Sequence, residues 1–117
     1  DRSPSRGLGD VYKRQGVGNG AILAAVEAAT GISPLVIGKP ETPIYEQALQ
    51  RLKSNSSDTL MIGDRLDTDI LGAQRAGITT LLVLTGVTTL EMSKASVVQP
   101  DLVLTGLPDI TSGLLAV

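Results

Sequence analysis

The sequence predicts an α/β domain: a parallel β-sheet with helices on both faces. Three observations carry that prediction. Apolar runs at 59–63 and 78–86 show no polar alternation, the pattern of strands covered on both sides, and a third run follows at 101–106. Each run is followed by a helical pattern, and strand–helix alternation implies right-handed crossovers between parallel strands. The length of 117 residues allows one small domain with one core.

In chain order, "GNGAILAAVEAATG" (18–31) reads as an Ala-rich, largely buried helix stopped by Gly31. "PLVIG" (34–38) is β-branched and reads as a strand. "TPIYEQALQRLK" (42–53) is amphipathic, with Ile44, Ala48 and Leu52 on one face and Tyr45 and Leu49 beside them. Thr42 can cap this helix, and Pro43 suits its first position. After the loop at 54–58 come the strand "TLMIG" (59–63), the helix "DTDILGAQRAG" (67–77) and the strand "ITTLLVLTG" (78–86). "TTLEMSKA" (88–95) suggests a capping box from Thr88 to Glu91. The strand "DLVLTG" (101–106) and a terminal helix from Leu107 complete the chain.

Composition narrows the chemistry. Hydrophobic residues make up 42% but aromatics only 2%, so the core must be aliphatic. The chain has no Cys and no His, which excludes disulfides, thiolate metal sites and His-based triads. Any metal would be held by oxygen, as suits a hard cation such as Mg²⁺. A formal charge of −2 argues against nucleic acid as a partner. No apolar run is long enough for a membrane span, and no secretory signal is evident, so a cytoplasmic location is expected. Residues 1–15 hold Arg2, Arg6, Lys13 and Arg14 against Asp1 and Asp10, with no regular period. They resemble translated adaptor sequence and are expected to be a non-native or disordered tail.

The chemical signal is "MIGDRLDTDI" (61–70), where acids crowd the end of a strand. In open parallel sheets, ligands bind beyond the carboxyl ends of the strands. Gly63 permits a tight turn there, Asp64 projects into the crevice, and Asp69 can face it from the following helix. Two carboxylates about 5 Å apart repel by about 3 kcal/mol at an effective dielectric near 20. A cation relieves that repulsion, whereas a helix N-terminus offers only about 0.3–1 kcal/mol. Asp67 and Thr68 suit a helix cap. Lys39, in a turn fixed by Gly38 and Pro40, could bind a phosphate oxygen near these acids.

Three other motifs fail on spacing. "GKP" lacks the upstream Gly and the following Ser/Thr of a phosphate loop. "GVGNGA" is not G-x-G-x-x-G, and no strand precedes it. "DRLDTD" lacks the 1-3-5 spacing of a calcium loop.

Taken in order, "GNGAILAAVEAATG", "VIGKP", "MIGDRLDTDI", "GAQRAGITTLLVLTGVT" and "PDLVLTGL" resemble the C-terminal part of a haloacid dehalogenase (HAD) superfamily hydrolase. The resemblance is to subfamily IIA, the NagD-type proteins with 4-nitrophenyl and phosphoglycolate phosphatases. It implies a three-layer Rossmann-like core with an incomplete parallel sheet. Residues 38–117 would form the C-terminal part of that core, and 16–37 the last helix and strand of a cap domain.

It also implies roles. Lys39 resembles the lysine that steadies the nucleophile and the phosphoryl group. Asp64 resembles the Mg²⁺-ligating aspartate. Asp69 resembles the second acid, which orients metal-bound water or the lysine. Gly38, Pro40, Gly63, Arg65, Asp67 and Thr68 are supporting positions. The implied reaction is hydrolysis of a small phosphorylated metabolite through an aspartyl-phosphate. The D-x-D-G-T motif that supplies the nucleophile has no match in this chain, so the fragment alone is expected to be inactive. The alternatives are a non-catalytic HAD-like binding module and a different Rossmann-like nucleotide-binding enzyme.

Overall fold

The structure, a computed structural model, describes the backbone of residues 8–115 and the side chains of residues 19–112. The chain divides into two compact units, one ending at Val36 and the other beginning at Ile37.

The first unit contains helix α1 (Leu8–Thr30). It starts at Leu8 rather than Gly18, so part of the segment expected to be an irregular tail is helical; residues 1–7 lie outside the described ones. Its end matches expectation. Gly31 has φ +70° and its N–H donates to the Glu27 carbonyl at 2.8 Å, an arrangement a side chain at 31 would strain. Burial does not match, since Ile22, Leu23 and Val26 are exposed. Residues 34–38 form no strand. A β-branched run becomes a strand only with a ladder neighbour, and none of the described strands pairs with it.

The second unit holds an α/β layer. Helix α2 (Pro43–Leu52) opens with Pro43 at its start, as read from the sequence. Thr42 does not cap it by side chain; its backbone is already helical, and its carbonyl accepts from the Tyr45 and Glu46 N–H groups, both at 3.0 Å. The helix closes at Lys53, a non-glycine residue in the left-handed region (φ 52°, ψ 42°). There the Lys53 N–H donates to Gln50 O and the Ser54 N–H to Leu49 O, a Schellman pattern.

Three strands follow: β1 (Leu60–Gly63), β2 (Thr79–Val83) and β3 (Leu102–Leu104). They pair in parallel in the order β1-β2-β3, which bears out the predicted α/β class. β2 is central and, after Thr79, buried throughout. β1 lies at the sheet edge, and its faces, expected to be covered, are partly open, since Leu60 and Ile62 reach solvent. Among β2 side chains, Leu82 and Thr80 are fully buried. Thr80 locks the start of β2 to the start of β3: its N–H and Oγ1 both donate to Asp101 Oδ2, at 2.8 and 2.7 Å. Those two hydrogen bonds hold the Asp101 carboxyl below its usual range, the hydroxyl contributing most.

Between β1 and β2 the chain winds as a π-helical turn (Leu66–Ile70) that runs into the short helix α3 (Leu71–Arg75). The stop at Gly77 follows the sequence reading. Gly77 has φ +73°, its N–H donates to Gln74 O at 3.0 Å, and the Ile78 N–H donates to Ala73 O at 2.9 Å. A small apolar cluster of Tyr45, Ala73 and Ile78, flanked by Leu49, Met61 and Ala76, joins α2 to this crossover. Helix α4 (Leu90–Ala95) is capped by Thr89, whose Oγ1 accepts from the Met92 N–H at 3.1 Å; the expected cap, Thr88, is buried instead. Helix α5 (Leu107–Leu115) ends the described chain. No helix among the described residues is long and apolar enough to cross a membrane.

Candidate phosphoryl and metal site

Parallel strands place their carboxyl ends on one rim, and the sequence-derived residues gather at the end of β1. Asp69 organises them. Its side chain is nearly fully buried, and a bare buried carboxylate is costly. Here both oxygens are occupied. Oδ1 accepts from Lys39 Nζ at 2.6 Å, a charge-assisted bond. Oδ2 accepts from the backbone N–H groups of Asp64 at 3.3 Å and Arg65 at 3.2 Å. The cation that relieves the clustered acids is therefore the Lys39 ammonium, which remains 44% exposed on its outer side.

Lys39 is presented by a turn in which the Glu41 N–H donates to Gly38 O at 3.0 Å; the Lys39–Pro40 peptide is cis. Asp69 is presented by the π-helical turn, where the N–H groups of Asp69 and Ile70 both donate to Arg65 O at 3.1 Å. One bond is α-like and the other π-like. The sequence suggested a helix beginning at Asp67; the widened turn instead swings Asp69 back over the end of β1.

Gly63 proves necessary for a reason other than turning. A Cβ there would lie 2.4 Å from Asp69 Cβ and 2.8 Å from its Cγ and Oδ2. Only a hydrogen fits between strand and carboxylate.

Asp64 is half-buried, and its grip comes from the loop after β2, which the sequence reading did not connect with the site. Its Oδ2 accepts from the Val87 N–H at 2.9 Å, and its carbonyl accepts from the Thr88 N–H at 3.2 Å. Gly86 packs against it so closely that a Cβ would come 2.0 Å from Asp64 Oδ2. The available signal was the Gly at the end of the "LLVLTG" strand, since parallel strands bring such ends to one rim.

Asp67 stays apart from this cluster. It is exposed and forms a two-point pair with Arg65, Nε to Oδ1 at 3.1 Å and Nη2 to Oδ2 at 2.7 Å. That pair, led by its hydrogen bonds, holds the Asp67 carboxyl below its usual value. The residue at the start of the turn is Arg65, which makes no side-chain cap bond to it, and the backbone N–H groups of Asp67 and Thr68 add to the hold on the Asp67 carboxylate. Thr68 contributes its carbonyl, which accepts from the Tyr45 hydroxyl at 2.9 Å.

As a metal site the cluster is partial. Among the described residues no three Asp, Glu, His or Cys side chains gather as a ready cage. Asp69 has both oxygens engaged, whereas the loop grips only Oδ2 of Asp64. A single oxygen donor of this kind fits Mg²⁺, which is commonly held by one or two carboxylates, with waters and substrate phosphate completing the shell.

Comparisons with known proteins show the family. A family described as HAD-hydrolase-like matches residues 36–110. Human chronophin is 42% identical over 97% of this chain, which spans 40% of the length of that relative. The solved structure of the p-nitrophenyl phosphatase from Archaeoglobus fulgidus superposes with a TM-score of 0.72 at 37% identity, covering 82% of this chain and 39% of that one. NagD from Escherichia coli gives 0.66 at 36% identity, covering 74% of this chain and 35% of its own. The family match over residues 36–110, with these identities across most of the chain and a parallel sheet that superposes on the solved structures, makes this chain a member of the HAD-hydrolase-like family.

Proposed function

We propose that the chain is the lysine- and metal-bearing part of a Mg²⁺-dependent phosphate-monoester hydrolase acting on small phosphorylated metabolites. One observation carries the reading: Lys39, Asp69 and Asp64 are joined by hydrogen bonds at the end of β1. An ammonium carries three donors, and Asp69 takes one of them, at 2.6 Å. The others can meet phosphoryl oxygens from the exposed side of Lys39. The fixed bond to Asp69 supplies orientation before substrate arrives, and donors aimed in advance are what stabilise developing charge. Asp64 would hold the Mg²⁺, with Gly86 and Val87 fixing its carboxylate. When bound, the ion supplies electrostatic stabilisation of phosphoryl oxygens. Relatives named as phosphatases support this reading.

The nucleophile is the missing part. No segment of the 117 residues matches D-x-D-G-T, and no turnover is expected of this chain by itself. The test is a graft. Residues 37–110 replace the matching segment of the Archaeoglobus phosphatase, and hydrolysis of 4-nitrophenyl phosphate is followed with and without Mg²⁺. The graft is expected to be Mg²⁺-dependent and to lose about 100-fold or more in kcat with Lys39→Ala or Asp64→Asn. A graft indifferent to both substitutions overturns the proposal, and so does Mg²⁺-dependent turnover by the purified 117-residue chain.

A further inference from the structure

We propose that Tyr45 is a positioning residue for this site, acting through the π-helical turn on Asp69 and, through Asp69, on Lys39. The catalytic consequence rests on the function proposed above; the mechanical coupling stands on geometry alone. Tyr45 is the sole aromatic among the described side chains, and it is almost completely buried. Its hydroxyl is aimed at the turn that presents Asp69, donating toward Thr68 O at 2.9 Å and Asp69 O at 3.2 Å. A widened turn of this kind departs from regular i→i+4 bonding, and the phenol meets two of its carbonyls.

The slot for the ring is also specific. A Cβ on Gly72 would lie 2.5 Å from Tyr45 Cε2 and 2.6 Å from its hydroxyl oxygen, so a larger residue there would drive the phenol off the turn. Simple apolar filling of the cluster needs no hydroxyl, and a capped α-helical start needs no support from α2. The hydroxyl instead ties α2, three residues past the Thr42 carbonyl that follows the Lys39 turn, to the backbone of Asp69. Both partners of the Lys39–Asp69 pair are thus referenced to one helix. Burial, with a smaller contribution from the Asp69 charge, pushes the phenol up to about 12, so it stays protonated and donating across the working pH range.

The test uses the full chain, ¹⁵N-labelled, with the Lys39 ammonium protons observed directly by NMR. A 2.6 Å bond to a buried carboxylate should slow their exchange with water. Tyr45→Phe keeps the ring and removes one oxygen; it is expected to speed that exchange by about five- to tenfold, the size of one lost hydrogen bond. Leu49→Ala, a cavity in the same apolar cluster, should lower the melting temperature and leave the Lys39 signal in place. An unchanged signal in Tyr45→Phe, or an equal change in Leu49→Ala, overturns the positioning role. A signal that answers to Asp69→Asn but not to Tyr45→Phe removes this inference alone. A signal indifferent to Asp69→Asn removes the site reading beneath it as well. Should Tyr45→Phe fail to fold, 3-fluorotyrosine in the wild-type chain gives a second reading. Coupling is reciprocal, so the position-45 fluorine resonance must move on Lys39→Ala, and a fixed resonance overturns the proposal.

Discussion

Gly86→Ala is the substitution on which the geometry of the site can be tested most sharply. The new Cβ would sit 2.0 Å from Asp64 Oδ2 and 2.5 Å from both its Cβ and its Cγ. Ordinary contact lies near 3.5–4.0 Å, so Asp64 must retreat by about 1 Å or more. Rotation about χ1 cannot achieve this, because the Asp64 Cβ itself is part of the clash. The backbone at the end of β1 has to move, and it is tethered there by the Asp64 N–H to Asp69 Oδ2 and by the Thr88 N–H to Asp64 O. Overpacking of this kind costs about 1–3 kcal/mol. Losing the Val87 N–H to Asp64 Oδ2 bond, which involves an ionised acceptor, adds about 1.5–3 kcal/mol. The expected total is about 2.5–6 kcal/mol, a large fraction of a typical stability of about 5–15 kcal/mol. Urea denaturation of the wild-type chain and the variant measures the difference, and the Val87 amide resonance reports the local bond. A variant within about 0.5 kcal/mol of wild type, with the Val87 amide unmoved, would refute the claim that close approach is why glycine stands at 86.

Three further outcomes are expected. Lys53→Gly relieves a left-handed residue at the end of α2 and should stabilise by about 0.5–1 kcal/mol, raising the melting temperature by roughly 3–5 °C in a thermal melt. The Asp101 carboxyl is depressed in the fold, so its contribution is complete above the unfolded value of 3.8 and is lost as pH falls through the lower folded value. Denaturation midpoints measured from pH 5 down to pH 2 should therefore fall less steeply in Asp101→Asn than in wild type. β1 is an open edge carrying the half-exposed Ile62, and Ile62→Lys should raise the temperature at which light scattering begins, without moving the Lys39–Asp69 pair.

What could be read from the sequence was whatever residue type alone decides. β2 runs apolar after Thr80, Pro43 opens α2, and Gly31 and Gly77 take up positive φ, because each feature follows from the side chain or its absence. That Asp64 and Asp69 lie close together was also readable, from their distance to the end of β1, whereas Lys39 was read as following a strand at 34–38 that does not form. The rest depends on what lies opposite. The π-helical turn arises from one extra residue in a hydrogen-bonded loop, which no residue in "LDTDI" announces. Thr89 rather than Thr88 caps α4 because Thr88 is drawn inward, with its N–H on the Asp64 carbonyl. The run at 34–38 has strand chemistry without a described neighbour, and chemistry alone does not make a ladder. Gly63 was expected to serve the turn, but its purpose is visible only once the Asp69 carboxylate is seen against it.

The two aspartates then turn out to do different work, although the sequence presents them as a pair. Asp69 is buried and spends both oxygens on this chain's own groups: an ammonium from the turn before α2 and two amides at the exit of β1. It fixes the relation between two segments and has little left for a ligand. Asp64 is half-exposed and is gripped through one oxygen by the loop after β2. The rim is therefore fastened twice, from β1 back to Lys39 by Asp69 and from β1 across to β2 by Asp64. Substituting Asp69 should thus loosen the fold and misplace the lysine together, whereas changing Asp64 to Asn, which keeps an acceptor for the Val87 N–H, should leave the fold nearly intact and remove the charge proposed to hold Mg²⁺. Thermal melts and Mg²⁺ titrations of the two variants separate these outcomes. Equal loss of stability in both would mean that the carboxylates are interchangeable struts, and the division of labour between positioning and metal binding would fall.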